Sequence, residues 1–271
     1  MVEVLFTNEG CSYSNIDESY TDLERTRSNF VVQKELMAVG MRQRLGSLWL
    51  MLDPIFYTLV YYLVFDVLRA NPNTSSIIIG IGMMRVLQDS FSAGVSSVAN
   101  FTGGIKAERL RTRVLVIAML KSRVINTLFQ TVAISVVLVL GLGHEYHVGF
   151  AYLLSCQMVG ILSQGAGMNL TMITRRIPDL RKIISYGLRV FFYMSPCLYP
   201  MSKTTGLHYK ILTYNPYSYF VEWVREVANL ESAFNELDMR MLAAFLLLLL
   251  FLTSRGIYSV DSNRWETSTW T

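Results

Sequence analysis

A chain of 271 residues with 52% hydrophobic and only 16% charged content, at a mean hydropathy of +0.36, is unlike a soluble domain, where about a quarter of residues are charged. A net charge of +4 is too small to recruit nucleic acid by mass attraction, so the placement of the basic residues says more than their sum. Cys11, Cys156 and Cys197 are too few and too far apart to support a disulfide framework or a metal site.

Residues 1–20 hold Glu3, Glu9, Asp17 and Glu18 but no Lys, Arg or apolar core, which predicts a mobile cytoplasmic tail rather than a signal peptide. Over 21–47 the pattern is amphipathic. Phe30, Val31, Lys34, Met37, Ala38 and Met41 approximate one face, and Arg25, Arg27, Arg42 and Arg44 supply cationic ends, as in a helix lying in the inner membrane interface. A solvated linker helix is the alternative.

The apolar run 48–68, interrupted only by Asp53 and Asp66, reaches about 30 Å as a helix, one hydrocarbon thickness. A second predicted span, 75–99, contains Arg85 and Asp89 at i,i+4 spacing, where they can neutralise each other or face the protein interior. The next segment, 101–123, reads as the most basic loop, with Lys106, Arg109, Arg111, Arg113, Lys121 and Arg123 against Glu108. Spans 124–143 and 148–173 are free of Asp, Glu, Lys and Arg. In the latter, Ser163 and Gly167 form a small-residue step that permits close helix packing. A fifth span is predicted over 183–201, with Arg189 its only charge and Pro196 and Pro200 near its end, and a sixth over 241–260.

Lys and Arg are concentrated before the first span, in 101–123 and in 174–182, whereas 144–147 has none. An even number of spans with these loops inside puts both termini in the cytoplasm. The expectation is therefore an all-α polytopic membrane protein with six transmembrane helices in a 48–260 domain. An N-terminal amphipathic interface helix, an outer re-entrant helical hairpin between spans five and six, and a cytoplasmic C-terminal tail at 261–271 complete it.

No nucleotide-binding loop, Ser-His-Asp order, HExxH or CxxC occurs, so no catalytic residue is expected. His144, Glu145 and His147 share a short outer loop, but three loop residues of this kind are more often solvated than metal-bound, and no metal is expected.

Several phrases in fixed order carry a resemblance. Leu45-Gly46-Ser47-Leu48-Trp49-Leu50-Met51-Leu52-Asp53-Pro54 leads into span one, and Pro178-Asp179-Leu180 follows the basic pair Arg175-Arg176. Pro196 and Pro200 close an aromatic-rich span, Asn215-Pro216 opens the outer hairpin, and Arg225-Glu226 ends it. From about residue 23 to 260 the chain resembles permeases of the type-two ATP-binding-cassette export family, especially those moving capsule polysaccharide, lipid-linked O-antigen or teichoic acid. It departs from them at Ile81-Gly82-Met83-Met84-Arg85, where many relatives carry aromatics.

The resemblance implies a permease in the inner membrane that works as two copies with two copies of a separate cytoplasmic ATPase. No cofactor is then expected in this chain, ATP and magnesium belonging to the partner. Candidate ATPase-docking residues are Arg109, Arg111 and Arg113, with Glu35 and Arg42 as a second edge; fixing topology is their competing role. For the substrate, a tyrosine offers a flat apolar face to a sugar ring and a hydroxyl to its oxygens. Tyr57 with Tyr61, and Tyr186 with Tyr193, are spaced to share a helical face and are the candidate channel residues; an interfacial aromatic belt is the alternative. The outer hairpin is marked by Asn215, Pro216, Glu222, Arg225 and Glu226, the last three read as solvating its outer face. Rival functions are export of drugs or small lipids, a membrane-embedded glycan transferase, which Asp53, Asp66 and Asp89 do not support as a set, and a structural anchor.

Overall fold

The computed structural model describes residues 25–26, 28–30, 32–33, 48–64, 74–97 and 112–261. Every regular element among them is helical: α1 (Trp49–Tyr62), α2 (Thr74–Val95), α3 (Thr112–Val136), α4 (Tyr146–Met168), α5 (Thr171–Arg176), α6 (Leu180–Tyr193), α7 (Gly206–Thr213), α8 (Pro216–Val227) and α9 (Met239–Asp261). Three stretches in this set are long and apolar enough to cross a membrane: Val116–Gly141, Tyr146–Met168 and Met239–Tyr258.

α4 is the central element and packs against α2, α3, α8 and α9. Small residues set a close crossing of α4 on α2, because a side chain at Gly167 would run into the backbone carbonyl of Phe91. Ser163 lines an apolar cavity instead of this contact. The core collects Ile77, Ile79, Ile81, Met83 and Met84 from α2 with Tyr152 and Cys156 from α4, all nearly inaccessible. Outward, α9 presents Leu247, Leu248, Leu250 and Phe251, more than half exposed, the surface expected of a helix facing lipid.

Three boundaries differ from the sequence-based expectation. The segment 101–123 is not all loop: α3 starts at Thr112, so Lys121 and Arg123 sit on a helix. There Lys121 Nζ donates to Ser28 Oγ (3.0 Å) and Asn29 Oδ1 (2.8 Å), tying the helical residues 28–30 to α3. The run 148–173 is broken after Met168, where Asn169 Nδ2 donates to the carbonyls of Gly165 (3.1 Å), Ala166 (3.2 Å) and, on α9, Leu252 (2.7 Å). The first two bonds fall on carbonyls of the last turn of α4, where intrahelical partners run out, and the third ties that end to the middle of α9. Finally, the predicted fifth span is not one helix to 201, since α6 stops at Tyr193 and the chain turns through 194–199 before Pro200.

Candidate functional site

The segment after α6 is held by α8, and the sequence of α8 explains how. Asn215 caps it, its Oδ1 accepting from Tyr217 N at 3.0 Å, and Pro216 occupies the first turn, where a missing N–H costs nothing. The same Asn215 donates from Nδ2 to Ser195 Oγ (3.0 Å), and Tyr217 OH donates to Gly80 O on α2 (2.7 Å). Gly80 is required there, because a Cβ would overlap the Cys197 carbonyl. Beyond the far end, Asn229 adopts a left-handed φ of 54°, which Asn tolerates better than most residues, and Leu230 N closes onto Arg225 O at 3.0 Å.

Glu222 and Arg225 do not solvate an outer face. Both are 0% exposed and form an ion pair at 2.8 Å. Arg225 Nη2 donates to Ser76 O on α2 (3.1 Å) and Nη1 to Tyr199 O (3.4 Å), while Glu222 Oε1 accepts from Met201 N (3.2 Å) and Oε2 from Ala233 N (2.8 Å). An ion pair withdrawn from water loses several kcal/mol of hydration per charge, and backbone partners around both groups are what make the burial tolerable. The i,i+3 spacing was visible in the sequence, but its burial follows from three other segments closing over it. Glu226 lies apart from the pair and accepts from Asn235 Nδ2 at 3.0 Å.

A second charge cluster joins α1, α2 and α3. Arg85 pairs with Asp53 on α1 and, at 3.5 Å, with Asp89 one turn along α2. Its guanidinium carbon lies 4.5 Å from the centroid of the Tyr57 ring. Gln130 Nε2 on α3 reaches Asp89 Oδ2 at 3.4 Å, and Arg123 donates to the Asp89 carbonyl at 3.4 Å. Asp53 and Asp89, which the sequence did not support as a set, thus meet at one cation, Arg85, which balances one of their two charges. Tyr57 belongs to this cluster; of its predicted companion Tyr61 the helix backbone is described but not the side chain.

Tyr186 and Tyr193 stand on one face of α6, 64% and 68% exposed. Ile184, Leu188 and Phe191, on another side of that helix, line an apolar cavity of about 420 Å³ that reaches Leu87 and Leu162. Arg113 lies on α3 with its side chain outside the described set, and Glu35, Arg42, Arg109 and Arg111 lie outside the described residues altogether. The two loop histidines diverge. His144 Nε2 meets Ser75 Oγ at 2.8 Å, whereas His147 contacts Glu145 at 3.1 Å and the Val227 carbonyl at 3.3 Å.

Comparison with known proteins decides the family. A family model described as ABC-2 type transporter matches residues 29–228, which span α1 to α8. The chain belongs to the ABC-2 type transporter family. The chain is 25% identical over 246 residues to the polysialic acid transport protein KpsM of Escherichia coli, covering 83% of this chain and 93% of the relative. It is 27% identical over 180 residues to the O-antigen export system permease protein RfbA of Myxococcus xanthus, covering 64% of this chain and 67% of the relative. As an ABC-2 transporter chain with long apolar helices, it is a multi-pass membrane permease. Within this ABC-2 frame, sequence reasoning missed that Asp53 answers Arg85 and that Lys121 docks residues 28–29. No local spacing signals pairs formed between helices.

Proposed function

We propose that this chain is the permease subunit of an exporter for polysaccharide or lipid-linked glycan, driven by a separate ATPase. Two permease copies and two ATPase copies form the working unit in the inner membrane. Six spans cross it, both termini are cytoplasmic, the α7–α8 region acts as an outer re-entrant hairpin, and ATP and magnesium reside in the partner. The two ABC-2 relatives described above are named for polysialic acid transport and O-antigen export, which supports a glycan cargo.

The observation that carries the reading is the exposed tyrosine pair Tyr186 and Tyr193 on α6. A glycan crossing hydrocarbon without partners leaves each unpaired hydroxyl at a cost of about 2–7 kcal/mol, so a lined passage is required. Two copies bringing α1 and α6 together enclose one, with aromatic faces for the sugar rings and the α7–α8 hairpin as a partial lid. Arg109, Arg111 and Arg113, together with Glu35 and Arg42, are assigned to the ATPase contact.

The deciding experiment uses inverted membrane vesicles holding this chain and its ATPase, and follows ATP-driven accumulation of lipid-linked glycan. Accumulation is expected, with strong loss in the Y186L/Y193L variant and undiminished permease–ATPase co-purification. Full transport by that variant rejects the lining role. A second cargo is favoured by the apolar cavity beside Phe91 and Phe191, which suits a hydrocarbon tail. Uptake of small lipids or drugs without any glycan uptake establishes that alternative.

A further inference from the structure

Arg189, the charge inside the predicted fifth span, is the starting point. It is exposed on α6, and its guanidinium carbon stacks 5.4 Å from the Tyr186 ring centroid. Among the described residues no carboxylate forms an ion pair with it, nor with Lys182, also exposed on α6. Lys182, Tyr186, Arg189 and Tyr193 follow one another at i, i+4, i+7 and i+11, the spacing of a single helical face. The stripe runs about 16 Å along the helix axis, cation and ring alternating, with its two cations about 10 Å apart.

In the six-span reading α6 belongs to the fifth span, and a cation such as Arg189, with no ion pair among the described residues, is expensive there against hydrocarbon, so this face meets something polar and negative. The outward face of α9, by contrast, presents Leu247, Leu248, Leu250 and Phe251, as lipid contact demands. Alternation distinguishes the α6 face further. A cation cluster at one end of a helix suits a single headgroup, whereas cation, ring, cation, ring suits a chain whose units each bear an apolar ring face and whose length carries repeated acidic groups.

We propose that Lys182, Tyr186, Arg189 and Tyr193 form a binding track for an acidic glycan, one bearing carboxylate or phosphate groups along its length. The proposal rests on the glycan-export reading and names its substrate class. The cations hold the acidic groups through charge-assisted hydrogen bonds, and the tyrosines carry the ring faces. Their separation along the helix lets a polymer be handed from one pair to the next.

The test uses the full-length chain in phosphatidylcholine nanodiscs, titrated with fluorescent oligomers of polygalacturonate, whose sugars carry carboxylates, and of dextran, which is neutral. At low salt the acidic oligomer is expected to bind at least about tenfold more tightly than dextran, an advantage screened away at high salt. K182Q/R189Q is expected to erase the advantage while leaving dextran binding and thermal stability unchanged, and R189K to retain part of it. Equal wild-type affinity for the two oligomers, or an advantage that survives K182Q/R189Q, overturns the acidic track and leaves glycan export standing. Failure of both oligomers to bind removes both readings. A parallel arm adds phosphatidylglycerol to the nanodiscs. If that lipid is retained by the wild type, lost from K182Q/R189Q and not displaced by the acidic oligomer, the stripe serves a lipid headgroup and the proposal is wrong.

Discussion

Two arginines in the C-terminal half of the chain differ in almost everything except residue type. Arg225 is fully buried, pairs with Glu222 and donates to the carbonyls of Ser76 and Tyr199. Arg189 is exposed and leans on the Tyr186 ring, with no ion pair among the described residues. A charge whose partners are all supplied by the fold is a structural fastener. A charge with no partner among the described residues is available to a ligand. The same distinction separates α8, buried along most of its length, from α6, whose Ile183, Tyr186, Val190 and Tyr193 are each more than half exposed.

The sharpest way to break this contrast is to remove one member of the buried pair. R225A leaves Glu222 as an uncompensated buried charge and is expected to cost about 3–5 kcal/mol, read as a fall in melting temperature in nanodiscs or as loss of folded protein. Unaltered stability would mean that the pair is hydrated in the membrane. E222Q keeps an acceptor toward Met201 N but turns an amide N–H against Ala233 N and leaves Arg225 buried without its counter-ion. It is expected to cost about 3 kcal/mol, the lower end of the range for breaking a buried pair, measured by the same thermal scan.

The Arg85 cluster lies between the extremes. Asp53 is about half exposed and Arg85 a quarter exposed, and Arg85 keeps Asp89 when Asp53 is lost, so D53N is expected to cost less than R225A. Its effect belongs instead to how α1 sits against α2, and crosslinking of cysteines placed on those two helices reports that spacing. At the other end of the scale, R189A is expected to leave stability within about 0.5 kcal/mol of the wild type while reducing glycan transport. A large stability loss in R189A would make it a second fastener and erase the difference from Arg225.

Much of the fold was legible from residue order. Apolar run length announced the helices around α3, α4 and α9, and Asn215-Pro216 announced the start of α8, since an Asn cap followed by Pro in the first turn is a local signal. Helix ends were less legible. The stop of α6 at Tyr193 lies three residues before Pro196, in agreement with the aversion of pre-proline residues to helix, yet hydropathy alone carried the predicted span on to 201. Asn169, an ordinary polar residue in an apolar run, marked the break after Met168 through bonds to carbonyls on two helices, one of them 83 positions away.

The candidate site divides along the same line. Composition and period were enough to determine an all-helical membrane chain and to put Tyr186 and Tyr193 on one face, because hydrocarbon burial and the 3.6-residue turn are properties of the local chain. Only the tertiary structure decided that Glu222 and Arg225 are sealed inside while Arg189 is not. Desolvation is imposed by neighbours brought from elsewhere in the chain, here Ser76, Tyr199, Met201 and Ala233, and sequence spacing carries no record of them.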